Sequence, residues 1–367
     1  MHRPRAFRAA RLGSMRLLAI ITTLMLTGCA MRVGPKTISR DRFDYSTAIG
    51  RSWKEQMVLN MVKLRYVDPP LFMEVAQVVS QYTLEGSAAI SAPDWVGNQA
   101  GSAFGASGRW AESPTITYNP LLGERFIKSL LQPLSPIALF SLVQAGWPID
   151  AVLGVGVRSI NGIHAGSRTE LLKASGDPEF YQLLELLRTL QRSDGIGIRV
   201  QGAGAEGEIL VLRSAGADAT TQAVGQTARK ILKLRPEGTE FSLVFGSTPR
   251  NDKEIAVLTR SMLEILQESA AGVEVPASHL AEGRVVAMTN PQDSATLGPK
   301  LAIPIHSSEN KPPPDESYAT VQYRKHWFWV SDRDVAAKRG LSFLLILFSL
   351  PETGITAAPP VLTISKP

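Results

Sequence analysis

The sequence predicts an α+β protein, a helix-rich N-terminal half followed by mixed β-sheet with packed helices. Three observations support this. Helical spacing of apolar residues, with clear start and stop signals, dominates up to about residue 194. Short apolar runs broken by glycine-rich turns dominate after it. Hydrophobic residues make up 44% of the 367, enough for one large or two ordinary globular domains.

The first folded element is a helix in DYSTAIGRSWKEQMVLNMVKLRY, residues 44–66. Ile49, Trp53, Met57, Met61 and Leu64 recur at intervals of four and three and line one face. Asp44 or Ser46 can cap its start, and Asp68-Pro69-Pro70 ends it, because proline disfavours helix in the residue before it. Arg51, Lys54, Lys63 and Arg65 make the helix cationic. That suits contact with anionic headgroups or an acidic partner, or else a solvated face over a core helix, and the interruption by Glu55 favours the second.

Val75 to Ile90 alternates as an extended segment, with Val78, Tyr82 and Leu84 on one side and Gln77, Gln81 and Glu85 on the other. GNQAGSAFGASGRW, residues 97–110, reads as a glycine-rich loop. Asn119-Pro120 opens a helix through Phe126, Leu130 and Leu131. Ser135-Pro136 opens another, closed by Gly146: proline first and glycine after is the usual asymmetry. Trp147–Ile160 is apolar with no decisive period. Asp177-Pro178 opens a helix that places Phe180, Leu183, Leu184, Leu187 and Leu190 on one face.

At Asp194-Gly195 the character changes, which predicts a domain boundary. IGIRV and EILVLR read as strands joined by QGAGAEG. A helix covers roughly 220–234, and EFSLVF is a strand. Ser261 and Glu264 form a capping box opening a helix that Gly272 stops. Residues 289–317 hold six of the 24 prolines and read as connection. Tyr323–Val330 is expected as a strand, Asp332–Arg339 as a short helix, and Leu341–Leu350 as a buried strand or short core helix. That last run has ten residues, too few to span a bilayer, which needs about 20 in a helix.

The N-terminus has a different design. Arg3, Arg5, Arg8, Arg11 and Arg16 precede an uncharged run, Leu17–Leu26, and no acidic residue occurs before Asp41. A basic stretch, a short apolar stretch and then small residues is the layout of a secretory signal peptide. Leu26-Thr27-Gly28-Cys29 then resembles the lipobox of bacterial lipoproteins. The resemblance covers the first 30 or so residues only. It implies that the leader is removed before Cys29 and that the thiol carries diacylglycerol. Ala30 stands where an aspartate would favour retention in the inner membrane, which implies delivery to the inner leaflet of the outer membrane. Cys29 is the one cysteine of the chain, so lipidation would leave no thiol for a disulfide in an oxidising compartment. Each buried methylene contributes about 0.8 kcal/mol, so two or three acyl chains hold firmly.

This organisation divides the chain into a leader (1–28), a lipid-anchored tether (29–42), a helix-rich domain (43–194) and an α+β domain (195–367). It also changes the meaning of the charge. The chain carries 39 basic and 33 acidic residues, and losing the five leader arginines leaves 34 basic residues, a near balance. A nucleic-acid partner calls for a dense basic surface, so that class is set aside.

No catalytic constellation emerges. Gly202, Gly204 and Gly207 match a dinucleotide fingerprint in letters, but a strand-like segment follows where a helix is required, so the match reads as a hairpin turn. His164, His279, His306 and His326 have no ligand-type residue at zinc-site spacing. Ser308-x-x-Lys311 lies in the proline-rich connection without its companion motifs. Asp332 and Asp334 suit a helix start. On a continuous strand Tyr323, Lys325, Trp327 and Trp329 would share one face. Tyr323, Trp327 and Trp329 are therefore the candidate interaction surface, for sugar rings or a protein anchor, unless they are simply core.

The sequence reading is thus a lipid-anchored, periplasm-facing component of the outer membrane that binds or scaffolds another envelope protein, with no cofactor or metal assigned. The alternative is an envelope hydrolase or glycan-binding protein acting on peptidoglycan or polysaccharide. A lipid or small-molecule carrier comes third.

Overall fold

The computed structural model describes residues 38–79, 82–91, 103–167, 176–200, 208–212, 219–286, 303–312 and 315–350. The leader, Cys29 and most of the expected tether lie outside these residues, as does the glycine triplet at 202–207. The described residues fall into two compact units, one of those up to Gly50 and within Val75–Tyr118, the other of those within Arg51–Glu74 and from Asn119 onward. Helices and several sheets together give the α+β class.

Helix α1 (Ile38–Arg65) starts earlier than expected, so residues 38–42 of the expected tether are helical. No proline or glycine lies between Lys36 and Ile49, and Asp41 in the first turn suits the positive end of the helix dipole. The rest of the first unit is β-ribbon. β1 (Met73–Val79) pairs with β4 (Thr115–Pro120), and β2 (Tyr82–Ser91) pairs antiparallel with β3 (Ala103–Glu112) over ten residue pairs. Part of the expected glycine-rich loop is therefore strand. Gly105 and Gly108 lie opposite Ala89 and Gly86 in an unbroken ladder, and such pairing is not encoded in composition. The opening of the next expected helix is strand too. β4 runs through Pro120, and the Leu121 amide bonds the Phe72 carbonyl at 2.9 Å.

In the second unit the buried strip of α1 is Met57, Val58, Met61 and Val62, whereas Trp53 is 46% exposed. The apolar face is thus shorter than the sequence spacing suggested. Asn60, fully buried, binds both the amide and the carbonyl of Leu71 (2.8 and 2.9 Å), tying the Asp68-Pro69-Pro70 segment back onto the helix. Next come α2 (Gly123–Phe126) with a π-turn at Ile127–Leu131, α3 (Pro136–Gln144) and α4 (Ile149–Gly156). α4 and β5 (Val157–Ile160) settle the run with no decisive period. α5 (Pro178–Arg192) buries all five expected residues.

A six-stranded sheet, β6-β5-β10-β9-β8-β7, forms the centre. Its other strands are β6 (Ile163–His164), β7 (Ile196–Val200), β8 (Glu208–Leu212), β9 (Glu240–Phe245) and β10 (Glu254–Thr259). β10 pairs parallel with β9 and antiparallel with β5. β5 and β6 precede residue 194 and β7–β10 follow it, so the expected boundary falls inside one sheet and one unit. Tertiary pairing, not a linker, follows the change in composition there. The sequence reading had no strand at EIAVLT. It is β10, with Ile255, Ala256 and Val257 all buried, and such continuous burial removes the alternation that marks a strand. β7 and β8 are antiparallel neighbours, as the hairpin reading of the glycine triplet required.

α6 (Ala219–Ile231) precedes β9, and α7 (Met262–Ala270) follows β10. The Glu264 amide donates to Ser261 Oγ at 3.3 Å, but the Glu264 carboxylate takes Arg158 (Nε, 3.1 Å) and Arg260 (Nε, 3.5 Å) instead of closing the box. Arg260, 6% exposed, donates to the carbonyls of Gly154, Val155 and Gly166, the first two at the negative end of α4.

α8 (Ala277–Ala281) leads to a three-stranded sheet of β11 (His306–Ser308), β13 (His326–Ser331) and β12 (Ser317–Tyr323), in that order. α9 (Val335–Ser349) joins the expected short helix and the apolar run, with Asp334 accepting from the Ala337 amide at 2.9 Å. Gly340 does not break it. A Cβ there would meet the Ile303 side chain at 3.1 Å, so the glycine permits close packing. Among the described residues no helix is long and apolar enough to cross a membrane.

Candidate functional site

The expected strand Tyr323–Val330 is a hairpin. Arg324 and Lys325 sit at its tip with φ of +47° and +68°, the left-handed pair a two-residue type I′ turn requires. The turn changes which residues share a face. Tyr323 lies opposite His326, Val321 opposite Phe328, and Gln322 opposite Trp327. Tyr323 thus belongs with His326, Phe328 and Val330, away from Trp327 and Trp329, so the three proposed surface residues do not form one face.

The outer face of the hairpin holds the two tryptophans, both half-buried. Trp329 lies opposite Thr320 on one side and His306 on the other, its ring 5.5 Å from the His306 ring. The Lys311 ammonium sits 5.1 Å above the Trp327 ring. Glu274 lies 3.5 Å from His306 Nδ1. A flat aromatic strip flanked by a cation and an imidazole can stack on an apolar or π surface and offer hydrogen bonds at its margin.

The inner face meets the end of α1 and α8 in a cluster that the sequence did not announce. Tyr66, 4% exposed, shares a 2.6 Å hydrogen bond between its hydroxyl and Nδ1 of His279, also 4% exposed. Around the Tyr66 ring stand Tyr323 and Phe328, edge-on at 5.4 and 6.4 Å, and the Arg324 guanidinium at 5.3 Å. The His279 and His326 rings are 4.6 Å apart. Arg324 pairs with Asp68 at 3.1 Å, and the Tyr323 hydroxyl donates to the same carboxylate. His326 Nδ1 faces the Arg324 carbonyl at 3.3 Å, which makes that nitrogen the protonated one.

Burial raises the Tyr66 pKa above its ordinary value, against the nearby charges of Arg324, Arg65 and Arg284. Burial also lowers the His279 pKa, helped by His326 and Arg284 and opposed by Glu282. Both groups are therefore held neutral near pH 7, the phenol protonated and the imidazole uncharged. Such a pair can pass a proton, but its packing between α1, α8 and the hairpin describes a clamp that fixes the turn. His164, His306 and His326 are partly or fully open to solvent. No group of three or more His, Cys, Asp or Glu among the described residues is arranged to hold a metal ion. Asp332 pairs with Lys338 at 3.1 Å, while Asp334 caps α9, so the two carboxylates have separate tasks.

The inner cluster carried no motif. Its members lie 213 and 255 residues apart in the chain, and only Tyr323 had been singled out as a surface residue, on the strand face that the turn removes. No family, curated protein or solved structure matches this chain.

Proposed function

We propose that this protein is a lipid-anchored component of the outer membrane whose folded body binds another envelope protein. The observation that carries the reading is the N-terminal order of five arginines, a ten-residue apolar run, Leu26-Thr27-Gly28 and the chain's one cysteine, Cys29. Attachment through Cys29 would keep the body at the periplasmic face, where a near-neutral mature charge suits protein contact more than polyanion binding. The Trp327–Trp329 strip, with Lys311 and His306 at its margin, is the surface we assign to that contact.

Mass spectrometry of the native protein tests the anchor: a diacylglyceryl group on Cys29 is expected, and an intact leader or unmodified thiol refutes it. Crosslinking in cells tests the partner. One envelope protein should be recovered reproducibly, and lost with Trp329→Ala in a protein that still folds. The same tryptophan strip favours a second reading, glycan binding by ring stacking. Muropeptide binding abolished by Trp329→Ala would establish that reading in place of the first.

A further inference from the structure

The hairpin of β12 and β13 carries two faces of different chemistry. Trp327 and Trp329 stand on the outer one, while Tyr323, His326 and Phe328 lie on the inner one against Tyr66 and His279. Between the strands the chain turns through Arg324 and Lys325, both in the left-handed region. Neither is glycine or asparagine, so each Cβ crowds the carbonyl oxygen that follows it and the turn is strained. Strain of this kind persists only where the surroundings over-determine it.

Those surroundings are the inner cluster. Asp68 accepts from the Arg324 guanidinium at 3.1 Å and from the Tyr323 hydroxyl. The same guanidinium covers the Tyr66 ring at 5.3 Å, and Tyr66 is held in turn by its 2.6 Å bond to His279. The charged and titratable groups around the Tyr66–His279 pair come from all three neighbouring elements. Arg65 and Asp68 stand at the end of α1, Glu282 and Arg284 follow α8, and the hairpin supplies Tyr323, Arg324 and His326, with Lys325 exposed at the tip. Both carboxylates already face a guanidinium, Asp68 that of Arg324 and Glu282 that of Arg284. Three guanidiniums against two carboxylates leave one positive charge over before either imidazole gains a proton.

Protonation of His279 therefore breaks the cluster in two ways. A neutral imidazole can accept the phenol's proton at Nδ1, and an imidazolium cannot. The new charge is also buried, 4.6 Å from the His326 ring and among the guanidiniums, with no carboxylate to spare. Lifting the hairpin tip off Tyr66 relieves both and lets the left-handed turn relax. The change passes to the outer face by register. Trp327 adjoins His326 and lies opposite Gln322, so it is the first outer residue a relaxing turn displaces, away from the Lys311 ammonium above its ring.

We propose that the Tyr66–His279–His326 cluster is an acid-released latch: closed near pH 7, it holds the strained turn and with it the Trp327–Trp329 strip, and on acidification it frees both. The inference rests on the assignment of that strip as the contact surface, and makes the contact weaken as pH falls.

The test uses the full-length native protein in detergent micelles. Hydrogen–deuterium exchange, corrected for its intrinsic pH dependence, reads opening of residues 276–286 and 317–331, with α5 as reference. An imidazole freed in the open form takes up its proton below about pH 6.5, so one such group favours opening by up to about tenfold between pH 7.5 and 5.5. We expect a rise approaching that in both segments and none in α5. His279→Gln should remove the rise, and His164→Gln should keep it. Lys325→Gly relieves the turn and should lower opening at every pH without removing its pH dependence. Fluorine spectra of protein labelled with 5-fluorotryptophan read the strip. Of the six tryptophans, Trp327 and Trp329, assigned by Trp327→Phe and Trp329→Phe, should shift with the exchange transition, and Trp147, stacked on Phe343, should not. A pH-independent opening in the parent overturns the latch whether or not the variants fold. Opening of α5 in step with the cluster overturns it too, because that is global unfolding. Opening with unmoved Trp327 and Trp329 signals refutes the coupling to the strip. None of these readouts needs a partner, so the strip's role in contact stands or falls separately, by the Trp329→Ala crosslinking.

Discussion

Replacing Tyr66 by phenylalanine removes one oxygen from the inner cluster and leaves the ring. The edge-on contacts with Tyr323 and Phe328 and the Arg324 stack persist, so lost packing contributes little. What disappears is the 2.6 Å bond to His279 Nδ1, at a ring only 4% exposed where water cannot readily substitute. Leaving a buried polar atom unsatisfied costs about 1–3 kcal/mol, more than the bond's net worth of about 1 kcal/mol. Tyr66→Phe should therefore destabilise by about 1–3 kcal/mol in urea unfolding, with the slope of the transition unchanged. His279→Leu removes the other partner, and the double variant should cost less than the two single losses added, with a coupling of about 0.5–3 kcal/mol. A Tyr66→Phe protein within about 0.5 kcal/mol of the parent, or strictly additive losses, would refute the view of this bond as a buried clamp.

Three further outcomes follow from the same structure. Because burial holds His279 neutral in the fold while the unfolded chain takes up a proton below about pH 6.5, the His279 contribution is complete above that pH and is lost as pH falls toward the depressed folded value; thermal melts from pH 7.5 to 5 should show the loss, and His279→Gln should flatten it. Glu264→Ala strands Arg260, which is 6% exposed, without its carboxylate and should cost about 3–5 kcal/mol, read in urea unfolding; a loss under about 1 kcal/mol would mean the three carbonyl bonds of Arg260 suffice. Lys325→Gly relieves a left-handed residue at φ +68° and should stabilise by about 0.5–1 kcal/mol after glycine's entropy is deducted, whereas the same change at Arg324 also removes the Asp68 pair and should gain nothing.

How much of this was legible in the sequence depends on the range of the forces involved. α3, α5 and α7 were readable because their signals are local: Pro136 at a first turn, five apolar residues at helical spacing from Phe180, and Ser261 three residues before Glu264. β10 was missed because burial on both faces erases alternation, and its neighbours β9 and β5 come from opposite sides of the supposed boundary at residue 194. The hairpin at Arg324-Lys325 was missed for a chemical reason. A type I′ turn ordinarily announces itself with asparagine or glycine, and this one is held by Arg324 gripping Asp68, far away in sequence. That error moved Tyr323 to the wrong face. The strand at Ala103–Glu112 was hidden by its own glycines and alanines, which read as a loop until the facing strand supplies the register.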